Sequence, residues 1–264
     1  MHQACGDLLQ RLCFDTRDTP RVMLVVAHPN DETLAAGSRL PAWRHDLQIV
    51  YTTDGVTAAS GADWPPGLSR DQYAYLRREE LRAALTHAGI TFEQVVQAST
   101  PAGDLQNQIK DTVLRLWELI AGFSPDAIVT LPFEGGDADH DATALAVHTA
   151  VALLAQRGLS NPPLLEAAMF HMREDELIAN KFLPVEGYDA VGLVLPNEQR
   201  RLKQKMIACF ATQRDDLNRF IPAVERFRAA PEYDFTRAPR DESAYDFDAW
   251  LAATRAGLHE LAER

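Results

Sequence analysis

The sequence contains few cysteines and no long apolar segment. Its three cysteines, Cys5, Cys13 and Cys209, are an odd number, widely spaced and without a Cys-x-x-Cys pair. They fit reduced thiols better than a disulfide framework. No apolar run approaches the roughly 18–20 residues that span a bilayer. The first residues lack a basic region followed by an apolar core, so we expect no secretory signal and predict a cytoplasmic protein.

Positive charge is also scarce, because 26 Lys and Arg residues face 38 Asp and Glu residues, a net charge of −12. Nucleic acids and anionic membranes are bound by clustered Lys and Arg, so we expect neither as a partner. The first apolar run is not followed by a Gly-x-Gly-x-x-Gly segment, which argues against a dinucleotide site. The sequence leaves the oligomeric state open, and a homo-oligomer is compatible with it.

Strand-like runs alternate with helical patterns along most of the chain. We predict strands at 22–27, 47–53, 92–97, 126–131, 164–170 and 189–195. We predict helices at 31–42, 71–88, 105–122, 141–157 and, as one or two helices, within 197–228, followed by an irregular tail. This alternation is typical of parallel β-α-β units. The fold prediction for residues 1–264 is one Rossmann-like α/β domain with a mainly parallel sheet of five to seven strands flanked by helices.

Two polar clusters follow predicted strands. The first contains His28, Asp31 and Glu32, and the second contains Glu134, Asp137, Asp139, His140 and Asp141. Because the carboxyl ends of parallel strands meet at one edge of a sheet, we expect the clusters to lie close together. Two His and one Asp with an open fourth position form a catalytic zinc arrangement. Helix capping by Asp31, Asp139 or Asp141 is the simpler alternative.

Residues 27–32, Ala-His-Pro-Asn-Asp-Glu, and residues 136–140, Gly-Asp-Ala-Asp-His, carry a family resemblance. They resemble the motifs Ala-His-Pro-Asp-Asp-Glu and Gly-His-Pro-Asp-His of the LmbE-like/PIG-L family of zinc-dependent N-deacetylases. The similarity extends over about residues 20–240, including Thr53-Asp54-Gly55, Arg77-x-x-Glu80 and Lys205-x-x-Ala208. It implies zinc ligands at His28, Asp31 and His140, hydrolysis of an amide, and a small N-acetylated sugar or sugar conjugate as substrate. Such ligands also accept Mn, Fe, Co or Ni.

The two motifs depart from the family pattern at the residues that would transfer protons. The general base of the family falls on Asn30, and the histidine that begins the second motif falls on Asp137. An amide oxygen is far too weak a base, and losing a positioned base typically costs about 10²–10⁴ in rate. In one alternative Asp137 is the base and Asn30 holds substrate or water. In the others, Asp137 closes the metal site as a fourth ligand, or a catalytically impaired protein binds a sugar-like ligand.

The remaining candidates are substrate-binding residues. Arg77 could reach a sugar hydroxyl or a carboxylate, or lie on a solvated helix face. Asp54 and Asp104 match acidic positions that contact hydroxylated substrates in the family, although either could be a turn residue. Trp64 lies in the Pro- and Gly-rich segment 56–70, which would cover the substrate or form a surface insertion, and it could stack on a sugar. His171 ends a predicted strand and could line the pocket.

Overall fold

The computed structural model describes residues 2–15, 19–58, 64–98, 100–174, 176–217, 220, 223–240 and 243–262. Its strands are β1 Val22–Val26, β2 Leu47–Tyr51, β3 Val95–Gln97, β4 Ala127–Thr130, β5 Leu164–Ala167, β6 Phe170–Arg173, β7 Glu176–Ala179, β8 Val191–Val194 and β9 Val224–Ala229. Its α-helices are α1 His2–Phe14, α2 Asp31–Ala36, α3 Leu40–Trp43, α4 Arg70–His87, α5 Ile109–Phe123, α6 Ala138–Gln156, α7 Asn197–Cys209, α8 Arg214–Leu217 and α9 Phe247–Ala262. None of the helices in this part of the chain has the length and hydrophobicity needed to cross a membrane.

Seven of the strands form one sheet in the order β3-β2-β1-β4-β5-β9-β8. The pairs from β3 to β5 are parallel, whereas β9 is antiparallel to both of its neighbours. Strands β6 and β7 form a separate hairpin. The predicted mainly parallel α/β sheet is therefore confirmed.

The central strands separate two hydrophobic clusters. Along β1, Val22, Leu24 and Val26 pack in one cluster, and Met23 and Val25 pack in the other. This alternation follows from the two-residue period of a strand, whose side chains point to opposite faces. Apolar residues on both faces explain why β1 is a continuous apolar run in the sequence.

The connections place the two sequence motifs together. Strands β1 and β4 are neighbours, but the chain leaves β1 towards β2 and leaves β4 towards β5, on the other side of the sheet. In such sheets ligands bind outside the carboxyl ends of the strands, where the connections diverge. Both motifs follow the strands at this point.

The second half of the chain differs from the prediction. Residues 224–229 form β9, not the end of a helix, and the tail contains helix α9. Strand β9 was missed because its buried residues include Glu225 and Arg228, which read as helical surface positions. Their charges are compensated by Lys203 at 2.7 Å and Glu166 at 2.8 Å, partners that are remote in sequence.

Two predicted elements are divided in the structure. The strand predicted at 164–170 is split between β5 and β6, and the helix predicted at 31–42 is split between α2 and α3. The first of these breaks contributes to the site, since it begins a hairpin that lies beside the second motif.

Candidate metal centre

The first motif is a tight turn between β1 and α2. Asn30 has a φ of 122°, a backbone conformation that is uncommon for a residue other than glycine. The carboxylate of Asp31 accepts hydrogen bonds from the backbone N–H groups of Ala27 and His28, at 3.1 and 2.7 Å. Asp31 therefore stabilises the turn before α2 and is not its N-cap.

The second motif begins α6, and its N-cap is Asp137, not Asp139 or Asp141 as the capping alternative proposed. One carboxylate oxygen of Asp137 accepts hydrogen bonds from the N–H groups of Asp139 and His140, at 2.8 and 3.0 Å. Capping at this residue satisfies two of the N–H groups that the first helical turn leaves unpaired. It also holds the Asp137 carboxylate in a defined position beside His140.

The side chains of the two motifs converge. His28, Asp137 and His140 each offer one ligand atom, and these atoms lie within 4.8 Å of one another. Oδ2 of Asp31 lies 3.2 Å from Nε2 of His140 and 3.7 Å from Nδ1 of His28. Two imidazoles with carboxylates at this spacing fit zinc and several other divalent transition metals.

Asp139 fixes the orientation of the His28 imidazole ring. Its Oδ2 lies 2.9 Å from Nε2 of His28 and accepts a hydrogen bond from the N–H of Gly103 at 2.6 Å. A metal-binding histidine usually has its second ring nitrogen fixed in this way by a carboxylate or carbonyl. The contact leaves Nδ1 of His28 as the nitrogen that faces Asp31.

Negatively charged groups outnumber positively charged ones in this cluster. Burial by itself would lower the pKa of His140, but nearby carboxylates, Asp31 first and then Asp137, outweigh it and raise the pKa to about 9. Burial would likewise lower the pKa of His28, yet the bond to Asp139 and the charge of Asp137 raise it. Burial would raise the pKa of Asp31, but His140 and His28 lower it. The cluster therefore favours a bound positive charge, which protons or a metal ion can supply.

Two further carboxylates support the motif turns from the interior. Asp141 accepts hydrogen bonds from the N–H groups of Glu134 and Gly135 and from the hydroxyl of Tyr245. Glu32 accepts a hydrogen bond from the N–H of Asn30 at 3.0 Å. Burial raises the pKa of each of these two carboxyls to about 7. They hold the loops in place and do not face the cleft.

The cluster opens into a cleft of about 620 Å³. Of the residues predicted from the sequence, those that line it are His28, Asn30, Asp31, Trp64, Arg77, Asp137 and His140. Asp54, Asp104 and His171 lie outside this lining. Asp54 accepts a hydrogen bond from Arg70, Asp104 accepts one from Asn107, and His171 lies 3.6 Å from Glu134.

Arg77 and Trp64 are held by the protein itself. Buried Arg77 donates to the carbonyl oxygens of Gly55 and Pro29, at 2.6 and 2.8 Å. It thereby ties together the turns that follow β1 and β2. Trp64 donates to Thr57 at 3.2 Å. Part of the predicted loop, residues 59–63, lies outside the described residues.

Several residues of the cleft were not predicted as site residues. They come from the hairpin β6–β7 and from the segment after α7: Phe170, Leu177, Thr212, Arg214, Asp215, Asp216, Leu217 and Phe220. The sequence signal for the segment after α7 was weak, because its pattern predicts the continuation of an amphipathic helix. Gln213, in the same segment, also lines the cleft and donates to the hydroxyl of Tyr73 at 2.7 Å.

Known structures share this fold. The zinc-inhibited form of teicoplanin deacetylase Orf2 is 16% identical over 81% of this chain and 99% of its own, with a TM-score of 0.56. The N,N'-diacetylchitobiose deacetylase of Pyrococcus horikoshii is 18% identical over 84% of each chain, with a TM-score of 0.56. GalB of Pseudomonas putida, a 4-carboxy-2-hydroxymuconate hydratase, is 17% identical over 81% and 97%, with a TM-score of 0.54. At these identities the likeness shows the fold alone.

Sequence comparison adds the family. No curated protein sequence is significantly similar to this chain. The model of the PIG-L family, described as GlcNAc-PI de-N-acetylase, matches residues 23–151. That match includes both motifs and all four converging side chains. The resemblance to the PIG-L (LmbE-like) family that the two motifs predicted is therefore confirmed over residues 23–151.

Proposed function

We propose that this protein is a metal-dependent hydrolase that removes the acetyl group from an N-acetylated sugar or sugar conjugate. The observation that carries the proposal is the convergence of His28, Asp31 and His140 with a fourth side chain, Asp137, at the base of an open cleft. Family membership and the two deacetylases of the same fold support the reaction class. Two imidazoles beside carboxylates make zinc the first metal to test, with Mn, Fe, Co and Ni as alternatives.

His28, Asp31 and His140 would hold the metal, with Asp139 fixing the ring of His28. A metal bound there would acidify a water molecule and polarise the amide carbonyl. Asp137 would accept the proton of the attacking water and return it to the leaving nitrogen. Its N-cap hydrogen bonds occupy one oxygen and leave the other for this role. Asn30 lines the same cleft and would hold substrate or water through its amide.

Two alternatives give different results in one experiment. If Asp137 were a fourth ligand, the protein would bind metal without hydrolysing amides, because catalytic sites keep a coordination position open. If the protein were a catalytically impaired binder, sugars would bind and remain intact. The cytoplasmic location, a homo-oligomer and the exclusion of nucleic acid and membranes stay predictions from the sequence.

The experiment measures metal content and amine release on one sample. Protein supplied with zinc and freed of excess should retain about one ion per chain and should release amine from a panel of N-acetyl sugars. Asp137→Asn should keep the metal and lower kcat by about 10²–10⁴. Asp111→Asn, which changes an exposed carboxylate on α5, is the matched control and should leave both readouts unchanged. Full metal content without amine release would reject the proposal.

A further inference from the structure

One side of the cleft is apolar and lies directly beside the metal centre. The ring of Phe170 lies 5.2 Å from the ring of His140, and Phe220 lies 5.5 Å from Phe170. Leu34, Leu177 and Leu217 line the same cleft. All five side chains belong to one hydrophobic cluster, and we call them the apolar wall.

A second group of cleft residues has a different character. Trp64 donates to Thr57 at 3.2 Å, its ring lies 6.2 Å from that of Tyr73, and Tyr73 accepts a hydrogen bond from Gln213 at 2.7 Å. These four side chains, which we call the polar wall, combine aromatic faces with hydroxyl and amide groups. Such a surface is suited to a sugar ring, since it offers both an apolar face and hydrogen-bonding partners.

The apolar wall is larger than an acetyl group requires, because acetyl carries a single methyl. A longer acyl chain would remove more of that apolar surface from water, and each buried methylene strengthens binding by about three- to fourfold. Resting on the proposed function, we infer that the site accepts an acetyl group but prefers a sugar substrate with a longer N-acyl group. Its chain lies on the apolar wall and its sugar on the polar wall. Hydrolysis breaks the amide C–N bond, the acyl carbon gains the water oxygen, and the nitrogen gains a proton, which yields a carboxylate and a free amine.

The test uses the metal-loaded protein and glucosamine acylated with acetyl, butanoyl or hexanoyl groups. We expect kcat/KM to rise at least about tenfold from acetyl to hexanoyl, a conservative value for four added methylenes. Leu177→Ser, at a half-buried position of the wall, should flatten the series. Trp64→Phe, on the polar wall, should lower all three values by a similar factor and keep their ratio.

A binding measurement gives a readout that does not depend on turnover. Titration calorimetry should show that hexanoate, the product of the longest substrate, binds at least about tenfold more tightly than acetate. Equal binding of the two carboxylates would overturn the inference. Hydrolysis of all three substrates at similar rates would overturn it while leaving the proposed function intact. No hydrolysis of any substrate would overturn the proposed function, and the inference with it.

Discussion

Two polar clusters of this molecule contrast in how their charges are balanced. The metal centre is formed by His28, Asp31, Asp137 and His140 at the ends of β1 and β4. The second cluster, which we call the Arg228 cluster, is formed by Glu134, Glu166, Arg228 and Tyr233 beside β5 and β9. In the metal centre, carboxylates outnumber permanent cations, and the neighbouring carboxylates raise the pKa of both His28 and His140.

The Arg228 cluster supplies its own permanent cation. Arg228 donates to Glu166 at 2.8 Å and to the hydroxyl of Tyr233 at 2.9 Å, and that hydroxyl donates to Glu166 at 2.7 Å. Burial would lower the pKa of Arg228, but Glu166 and its neighbours outweigh it and raise that pKa. A buried cluster that contains its own cation joins distant segments of the chain. A cluster that lacks a permanent cation and opens into a cleft can instead bind a cation from solution. We therefore interpret the Arg228 cluster as structural and the candidate metal centre as the place of the proposed chemistry.

The largest effect is expected from removing a ligand of the metal centre. His140→Ala should abolish stoichiometric zinc binding and lower amide hydrolysis at least about 10³-fold, because the proposed metal ion would supply most of the activation of water and carbonyl. Metal analysis and amine release on the same preparation measure both effects. A thermal melt of the metal-free proteins is the control, and His140→Ala should still unfold in a single cooperative transition. Retention of one ion per chain would remove His140 from the ligand set.

The opposite pattern is expected for the Arg228 cluster. Arg228→Met should lower the free energy of unfolding by about 3–5 kcal/mol, because it leaves Glu166 buried without its partner. Folded protein should still bind one metal ion per chain. Urea unfolding provides the measurement, and Arg237→Met, at an 85% exposed side chain, is the control, for which we expect a change of at most about 0.5 kcal/mol. If both variants were equally stable, the structural assignment of the cluster would be wrong.

The same contrast explains what the sequence could predict. The metal centre is built from two local motifs that follow apolar strands, so spacing and strand order were enough to bring His28, Asp31 and His140 together. Strand β9 was missed because its buried charges are neutralised by residues from other parts of the chain, which no local pattern shows. The apolar wall was missed for a related reason, since Phe170 and Phe220 come from separate segments that meet only in the folded protein.

A smaller effect is expected when a carboxylate is added to the metal centre. Asn30→Asp should change hydrolysis by less than about tenfold, because the proposed base, Asp137, is already in place and a second base would add little to the rate. The Asn30→Asp and Asp137→Asn double variant separates the two roles, because the base would then stand only at residue 30. A rise of 100-fold or so in the single variant would show that the natural protein is a disabled deacetylase.

The smallest effect concerns His148, which lies on α6 and contacts Tyr233 of the Arg228 cluster. Its ring packs edge-on against Tyr233 and Phe235, and burial lowers its pKa from 6.5 to about 4. Because the unfolded chain binds a proton at this histidine more tightly, the contribution of neutral His148 to the free energy of unfolding is complete above about pH 6.5. It is lost progressively as the pH falls towards 4.

His148→Phe should therefore reduce the loss of stability between about pH 7 and pH 5, measured as the shift of the urea midpoint. His45→Phe, at an exposed position before β2, is the matched control and should leave that shift unchanged. An identical shift in His148→Phe and the parent would mean that this histidine is protonated without cost in the folded protein.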